Sequence, residues 1–342
     1  MRALGALSER AIQPQIVRKG SRTAVAVRAT AAAEASTYAN GLSPELVAKF
    51  REDGFLALPG FASKQQVAAM MQRANELVEQ WDPDIEARRF SVFTTKEEQS
   101  HAKDAYFLDS ASEINFFLEE KAFNEQGQLQ TPKALAVNKI GHAMHDMDPV
   151  FSAFTRSQQV AAVLRSLGFQ RPLPVQSMYI FKQPSIGGEV SPHQDSSFLY
   201  TDPMSCVGFW LALEDANRSN GCLWGLKGIH KQGLSRRFKR LPQGGVGFDG
   251  PAPDWSSLMP DFEPIECSAG TLVLLHGENV HYSAENTSPV SRHSWALHVV
   301  ESAAPCVWAE DNWAHRRPEM PWAPIYDAAS SRSSSSSSAA SR

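Results

Sequence analysis

A chain of 342 residues, 42% hydrophobic and 20% charged with a formal net charge of −4, has the make-up of a globular protein with a sizeable buried core. No stretch approaches the roughly 20 apolar residues of a membrane-spanning helix. Setting aside eight basic and three acidic residues in 1–38 and 327–342 leaves 25 basic against 34 acidic, a net of −9 that speaks against a nucleic-acid surface.

The two ends differ from the middle. Residues 1–38 carry Arg2, Arg10, Arg18, Lys19, Arg22 and Arg28 against only Glu9 and Glu34, amid Ala, Ser and Thr. This basic, hydroxyl-rich composition is that of an organelle transit peptide, without the apolar run of about 7–15 residues that marks a secretory signal. Ala-Val-Ala-Val-Arg-Ala at 24–29 resembles a chloroplast processing site, so a chloroplast is the expected address and a mitochondrion the alternative. Residues 327–342 are almost all Ser and Ala and read as a flexible tail. One folded domain is expected over 39–326. Cys206, Cys222, Cys267 and Cys306 are scattered without metal or disulfide spacing and read as free thiols.

In chain order, Ser43-Pro44-Glu45 opens a helix that Gly54 closes, and Phe55–Pro59 follows as a short strand. Ser63-Lys-Gln-Gln66 is a capping box for a helix to about Trp81, with Val67, Met70, Met71, Ala74 and Leu77 on one apolar face. Ile114–Leu118 reads as a strand, Ala136–Met147 as irregular or helical, and Ser157–Leu167 as a helix ended by Gly168. Beyond that point Val175–Phe181, Val207–Leu213, Gly270–Leu275 and Ser294–Val300 are strand-like runs between Gly/Pro/Asn/Asp clusters. Helices followed by antiparallel strands predict an α+β protein with a mainly β core, a sandwich or barrel.

The chemistry concentrates in Gly187-Gly-Glu-Val-Ser-Pro-His193-Gln-Asp195. Residues i and i+2 of an extended chain share a face, so His193 and Asp195 present an imidazole and a carboxylate together. A second histidine from a distant strand would complete the two-His, one-carboxylate triad of non-haem Fe(II) oxygenases. Both His276 and His281 follow an apolar strand, and His281 has the better spacing to Arg292, eleven residues on. An arginine there suits the far carboxylate of a chelating 2-oxoglutarate, because its planar fork binds a carboxylate through two hydrogen bonds.

His193-x-Asp195, His281 and Arg292 resemble the motif of the phytanoyl-CoA dioxygenase family. So do Asn138–His142, Val175–Pro184, Gly187–Asp195, Glu214-Asp-Ala, Asn220–Trp224 and His276–His281, a resemblance spanning roughly 44–326. It implies a double-stranded β-helix, a jelly-roll-like barrel with flanking N-terminal helices. It also implies that Lys139, Met178 and Trp210 line the 2-oxoglutarate pocket. By residue type alone, Lys139 is a second cation suited to an anionic cosubstrate, although a lone lysine is usually a solvated one, and the other two are most often core residues.

The expected activity is oxygenation of a small organic substrate with Fe(II), 2-oxoglutarate and O₂, releasing succinate and CO₂. A lipid-like or acyl-CoA-like substrate would suit Lys231, Arg236, Arg237, Lys239 and Arg240, although such a run is more often a solvated loop. A non-catalytic metal and 2-oxoglutarate sensor, and a cupin-type isomerase or hydrolase, are the alternatives. The oligomeric state is not legible.

Overall fold

The computed structural model describes residues 37–82, 92–93 and 105–328. The leader at 1–38 and the tail at 327–342 therefore lie, but for four residues, outside the described residues.

The chain opens with α1 (Pro44–Asp53), β1 (Phe55–Leu58), α2 (Lys64–Gln80), β2 (Val92–Phe93), α3 (Ala105–Asp109) and β3 (Ile114–Glu119). It continues through α4 (Lys133–Ala136), β4 (Val137–His142), α5 (Met144–Met147), α6 (Pro149–Thr155) and α7 (Gln158–Leu167). Strands then dominate: β5 (Pro172–Ile180), β6 (Val190–His193), β7 (Thr201–Asp202), β8 (Val207–Ala212), β9 (Leu223–Gly225), β10 (Phe238–Arg240) and β11 (Val246–Phe248). The last are β12 (Glu263–Ile265), β13 (Leu272–His276), β14 (His281–Ser283), β15 (Ser294–Glu301) and β16 (Val307–Trp308).

The helix ends follow from the capping residues. Ser43 accepts from the Leu46 N–H with Pro44 in the first turn, and Gly54 closes α1 at φ 83°, a left-handed turn that glycine adopts without strain. A Cβ at Gly54 would also lie 2.3 Å from His230 Nδ1. Ser63 and Gln66 form the reciprocal capping box of α2, whose buried face is Val67, Met70, Ala74 and Val78. Met71 and Leu77 are half-buried at its margin.

Eight strands form the main sheet in the order β1-β13-β8-β15-β5-β4-β3-β2, and four form a second in the order β12-β9-β14-β6. Neighbours are antiparallel except for β2 on β3. Together they make a double-stranded β-helix. The two faces of the main sheet are sorted by strand parity. Phe209, Leu211, Leu272, Leu274, Trp295 and Leu297 join the large core with α1, α2, α6 and α7. Trp210, Ala212, Val273, Leu275 and Ala296 turn the other way and pack with Leu223 and Ile265 of the second sheet.

The structure differs from the sequence reading at 136–147. Val137–His142 is a fully buried strand in the middle of the main sheet, followed by the single turn of α5. Its Asn138, Lys139, Gly141 and His142 conceal the apolar alternation that would announce a strand.

Candidate metal and 2-oxoglutarate site

His193 ends β6 and His281 begins β14, and the register pairs them directly across the ladder. Their ring centroids are 4.3 Å apart. Past His193, Gln194 is still extended (φ −114°, ψ 131°), so the alternation runs one step beyond the strand. Asp195 therefore shares the His193 face and then opens a 3-10 turn. Gln194 points the opposite way, donating to the Gly233 and Glu278 carbonyls and accepting from Ser235.

Asp195 Oδ1 lies 3.6 Å from His193 Nε2 and 3.7 Å from His281 Nε2. Among the described residues, this is where three candidate ligand atoms of His, Cys, Asp or Glu gather, all within 4.8 Å of one another. Adjacent ligands of an octahedral ion at about 2.1 Å stand about 3 Å apart, so the cluster needs only a small contraction to close on one. Burial opposes ionisation of Asp195, yet the imidazoles of His298, His281 and His193 hold its carboxyl well below the usual range. Burial pushes His281 down to about 4, so its ring is the neutral form a metal requires at neutral pH.

His276 is not part of this cluster. By parity with Leu272 and Leu274 it lies on the outer face of β13, against Phe50 of α1 and the His230 ring. Burial lowers it to about 4, and its Nδ1 accepts from the Glu278 N–H. Strand geometry thus puts His281, and not His276, beside His193 and Asp195.

Arg292 is 1% exposed. Its Nη1 donates to Ser294 Oγ at 2.6 Å and its Nη2 to Ser283 Oγ at 3.3 Å, on the strand that carries His281. Its carbon Cζ sits 5.1 Å from the centre of the Trp210 ring. Nε is buried with no hydrogen-bond partner, and among the described residues no carboxylate forms an ion pair with this guanidinium. Burial pulls its pKa down to about 10. A buried cation without an anion is costly, and a ligand carboxylate would neutralise it.

Trp210, Ala296, Met178 and Gly141 fall in one cross-strand row over β8, β15, β5 and β4. Lys139 Nζ reaches within 3.8 Å of Met178 Sδ from the same inner face. Burial depresses the Lys139 ammonium well below its ordinary value, while the charge of Glu119 opposes the shift. All of the expected site side chains thus face the interior between the two sheets. His298 was not anticipated. Its Nε2 lies 3.2 Å from Asp195 Oδ2, and the available signal was one polar residue inside the apolar run Trp-Ala-Leu-His-Val-Val.

The basic run is consumed internally. Arg237 pairs with Asp311, Lys239 with Asp249 and Asp311, Lys231 with Glu52, and Arg240 donates to the Trp313 carbonyl. It therefore gives no support to a CoA or phosphate grip. All four cysteines are free thiols. No helix among the described residues is long and apolar enough to cross a membrane.

The sequence profile of the phytanoyl-CoA dioxygenase (PhyH) family matches residues 50–294. The chain belongs to the phytanoyl-CoA dioxygenase family. It is 48% identical over 285 residues to a phytanoyl-CoA dioxygenase of Arabidopsis thaliana, covering 83% of this chain and 97% of that one. It is 47% identical over 290 residues to the mouse phytanoyl-CoA dioxygenase domain-containing protein 1, covering 83% and 99%. Among solved structures, EctD from S. alaskensis, crystallised with 2-oxoglutarate and 5-hydroxyectoine, aligns with a TM-score of 0.54 at 18% identity, covering 81% of this chain and 82% of that one. That distant likeness bears on the fold, and the family membership makes this chain an oxygenase. The two imidazoles and one carboxylate are the donor set that Fe(II) takes in such enzymes, and the residues present fit it.

Proposed function

We propose that this dioxygenase hydroxylates a small organic substrate using Fe(II), 2-oxoglutarate and O₂, with His193, Asp195 and His281 as metal ligands. The observation that carries the reading is the Arg292 guanidinium, buried without a direct ion pair among the described residues and hydrogen-bonded to the strand that holds His281. A metal site alone would not need it, whereas a cosubstrate with a carboxylate at its far end supplies the missing anion.

When bound, the iron couples oxidative decarboxylation of 2-oxoglutarate to insertion of an oxygen atom into a substrate C–H bond. The chain's own part is to bind, orient and exclude water. Arg292 anchors the far carboxylate, with Ser294 and Ser283 fixing the fork. Trp210 and Met178 wall the pocket, and the buried Lys139 amine faces the same interior, where it can donate to an anionic cosubstrate. Phe198 stands edge-on to His193 at 6.2 Å and packs on Phe238 and Phe248, an aromatic surround that suits an apolar substrate portion. The same reading makes 39–326 the catalytic domain and 1–38 an import signal for a chloroplast, supported by composition.

Anaerobic loading of the full chain with Fe(II), followed by succinate formation from 2-oxoglutarate on admitting O₂, tests the activity. Succinate should depend on iron and vanish in His193→Ala, Asp195→Ala and His281→Ala. Tight 2-oxoglutarate binding without turnover across a panel of candidate substrates would instead favour a sensor. A fluorescent fusion of residues 1–38 that stays in the cytosol of plant or algal cells would overturn the import reading.

A further inference from the structure

His298 lies on the inner face of β15, by parity with Ser294 and Ala296, in a strand whose outward residues Trp295, Leu297 and Val299 belong to the large core. Its Nε2 is 3.2 Å from Asp195 Oδ2, whereas Oδ1 is the atom near His193 and His281. The two oxygens of one carboxylate are thus divided between two sets of partners. Gly208 of β8 pairs with His298 across the ladder. A Cβ at Gly208 would sit 2.9 Å from Oδ2 and 3.6 Å from His298 Cδ2, so the strand is bare where this contact is made. Neither Oδ2 nor His298 Nδ1 has an aligned hydrogen bond, the 3.2 Å approach of Nε2 to Oδ2 included, so no other donor competes for Oδ2.

We propose that His298 is a positioning residue, donating from Nε2–H to Asp195 Oδ2 so that only Oδ1 is offered to the cation. The inference rests on the metal-site reading above. A carboxylate can coordinate through one oxygen or both. Two histidines and one carboxylate oxygen leave three adjacent positions on an octahedral ion, enough for a two-point chelator and O₂. With both oxygens bound, one of those positions is lost. Holding Oδ2 away from the ion also fixes the rotation of the Asp195 side chain. Among the neutral tautomers only the one protonated on Nε2 can do this, and it leaves Nδ1 as the acceptor.

The test is an anaerobic titration of the metal-free full chain with Co(II) alone, recording affinity and ligand-field absorption. Wild type is compared with His298→Ala, His298→Leu and His298→Gln, with the thermal midpoint of each metal-free protein as the check on folding. Leu keeps the volume without a donor, so it stands in should the Ala variant collapse. Gln can still donate near the same point but is a poor ligand. Removing an outer partner of this kind costs about 10–100-fold in metal affinity. That loss is expected for Ala and Leu together with a changed absorption spectrum, while Gln stays near wild type in both. Wild-type affinity and spectrum in folded Ala or Leu variants would overturn the proposal. So would a folded Gln variant as weak as Ala, which would mark His298 as a direct ligand. Failure of wild type itself to bind Co(II) would fall on the metal-site reading instead.

Discussion

Single residues in this site act through what they exclude as much as through what they contact. Arg292 tolerates burial because its fork is held by two serine hydroxyls, and a lysine there would keep the charge but lose the planar pair of donors. Arg292→Lys should raise the KM for 2-oxoglutarate about 10–100-fold, the worth of one or two hydrogen bonds to a charged group. Succinate formation at varied 2-oxoglutarate checks this. Gly208 offers the opposite case, a site residue defined by a missing atom. Gly208→Ala should weaken Co(II) binding while leaving the thermal midpoint nearly unchanged, because its Cβ strikes Asp195 Oδ2 rather than the backbone. His-x-Asp alone is a weak signal, and the gathering of His193, Asp195 and His281 was legible only through its combination with Arg292 and the family resemblance. His298 was not, since an imidazole inside an apolar strand is most often a satisfied core residue and nothing local distinguishes the two.

Elements were legible in proportion to how regular their exposure is. The caps at Ser43, Ser63 and Gly168 stand at helix ends as their chemistry predicts. Strands β6, β9, β12 and β14 are only three or four residues long, too short for a period of two to emerge, although they carry or flank both histidines of the proposed metal site. The short helices α5 and α6 are tied to the C-terminal segment through Asp146, which accepts from Arg156 and Arg316 beside His145. Burial alone would raise the Asp146 pKa, but His145 and these arginines bring it down to about 2. A carboxyl lowered on folding stabilises the protein above its unfolded pKa of about 3.8, and that stabilisation is lost as pH falls through the folded value. Asp146→Asn should therefore cost about 2 kcal/mol near pH 7, with the gap to wild type closing between about pH 4 and pH 2. Urea unfolding across that range is the measurement.

At the scale of the whole molecule, the α+β class with a sandwich or barrel followed from strand runs after helices, and the family resemblance chose the double-stranded β-helix. What stayed hidden was the division of each main strand into an outer apolar row and an inner row that mixes core and site. Lys139, His142 and His298 belong to interior positions, so they break the hydrophobic pattern just where the fold is most regular. The second sheet is uneven in its support. His281 lies on β14, hydrogen-bonded on both flanks by β9 and β6, whereas His193 lies on β6, the edge of that sheet. The amide hydrogens of Val190, Ser191 and His193 should accordingly exchange with deuterium faster than those at 281–283, measured by mass spectrometry on the metal-free chain. The ring of donors is then a jaw with one fixed and one yielding side. On the proposed metal-site reading, loading and release of the ion should follow the opening of this four-residue border strand and not of the rest of the barrel.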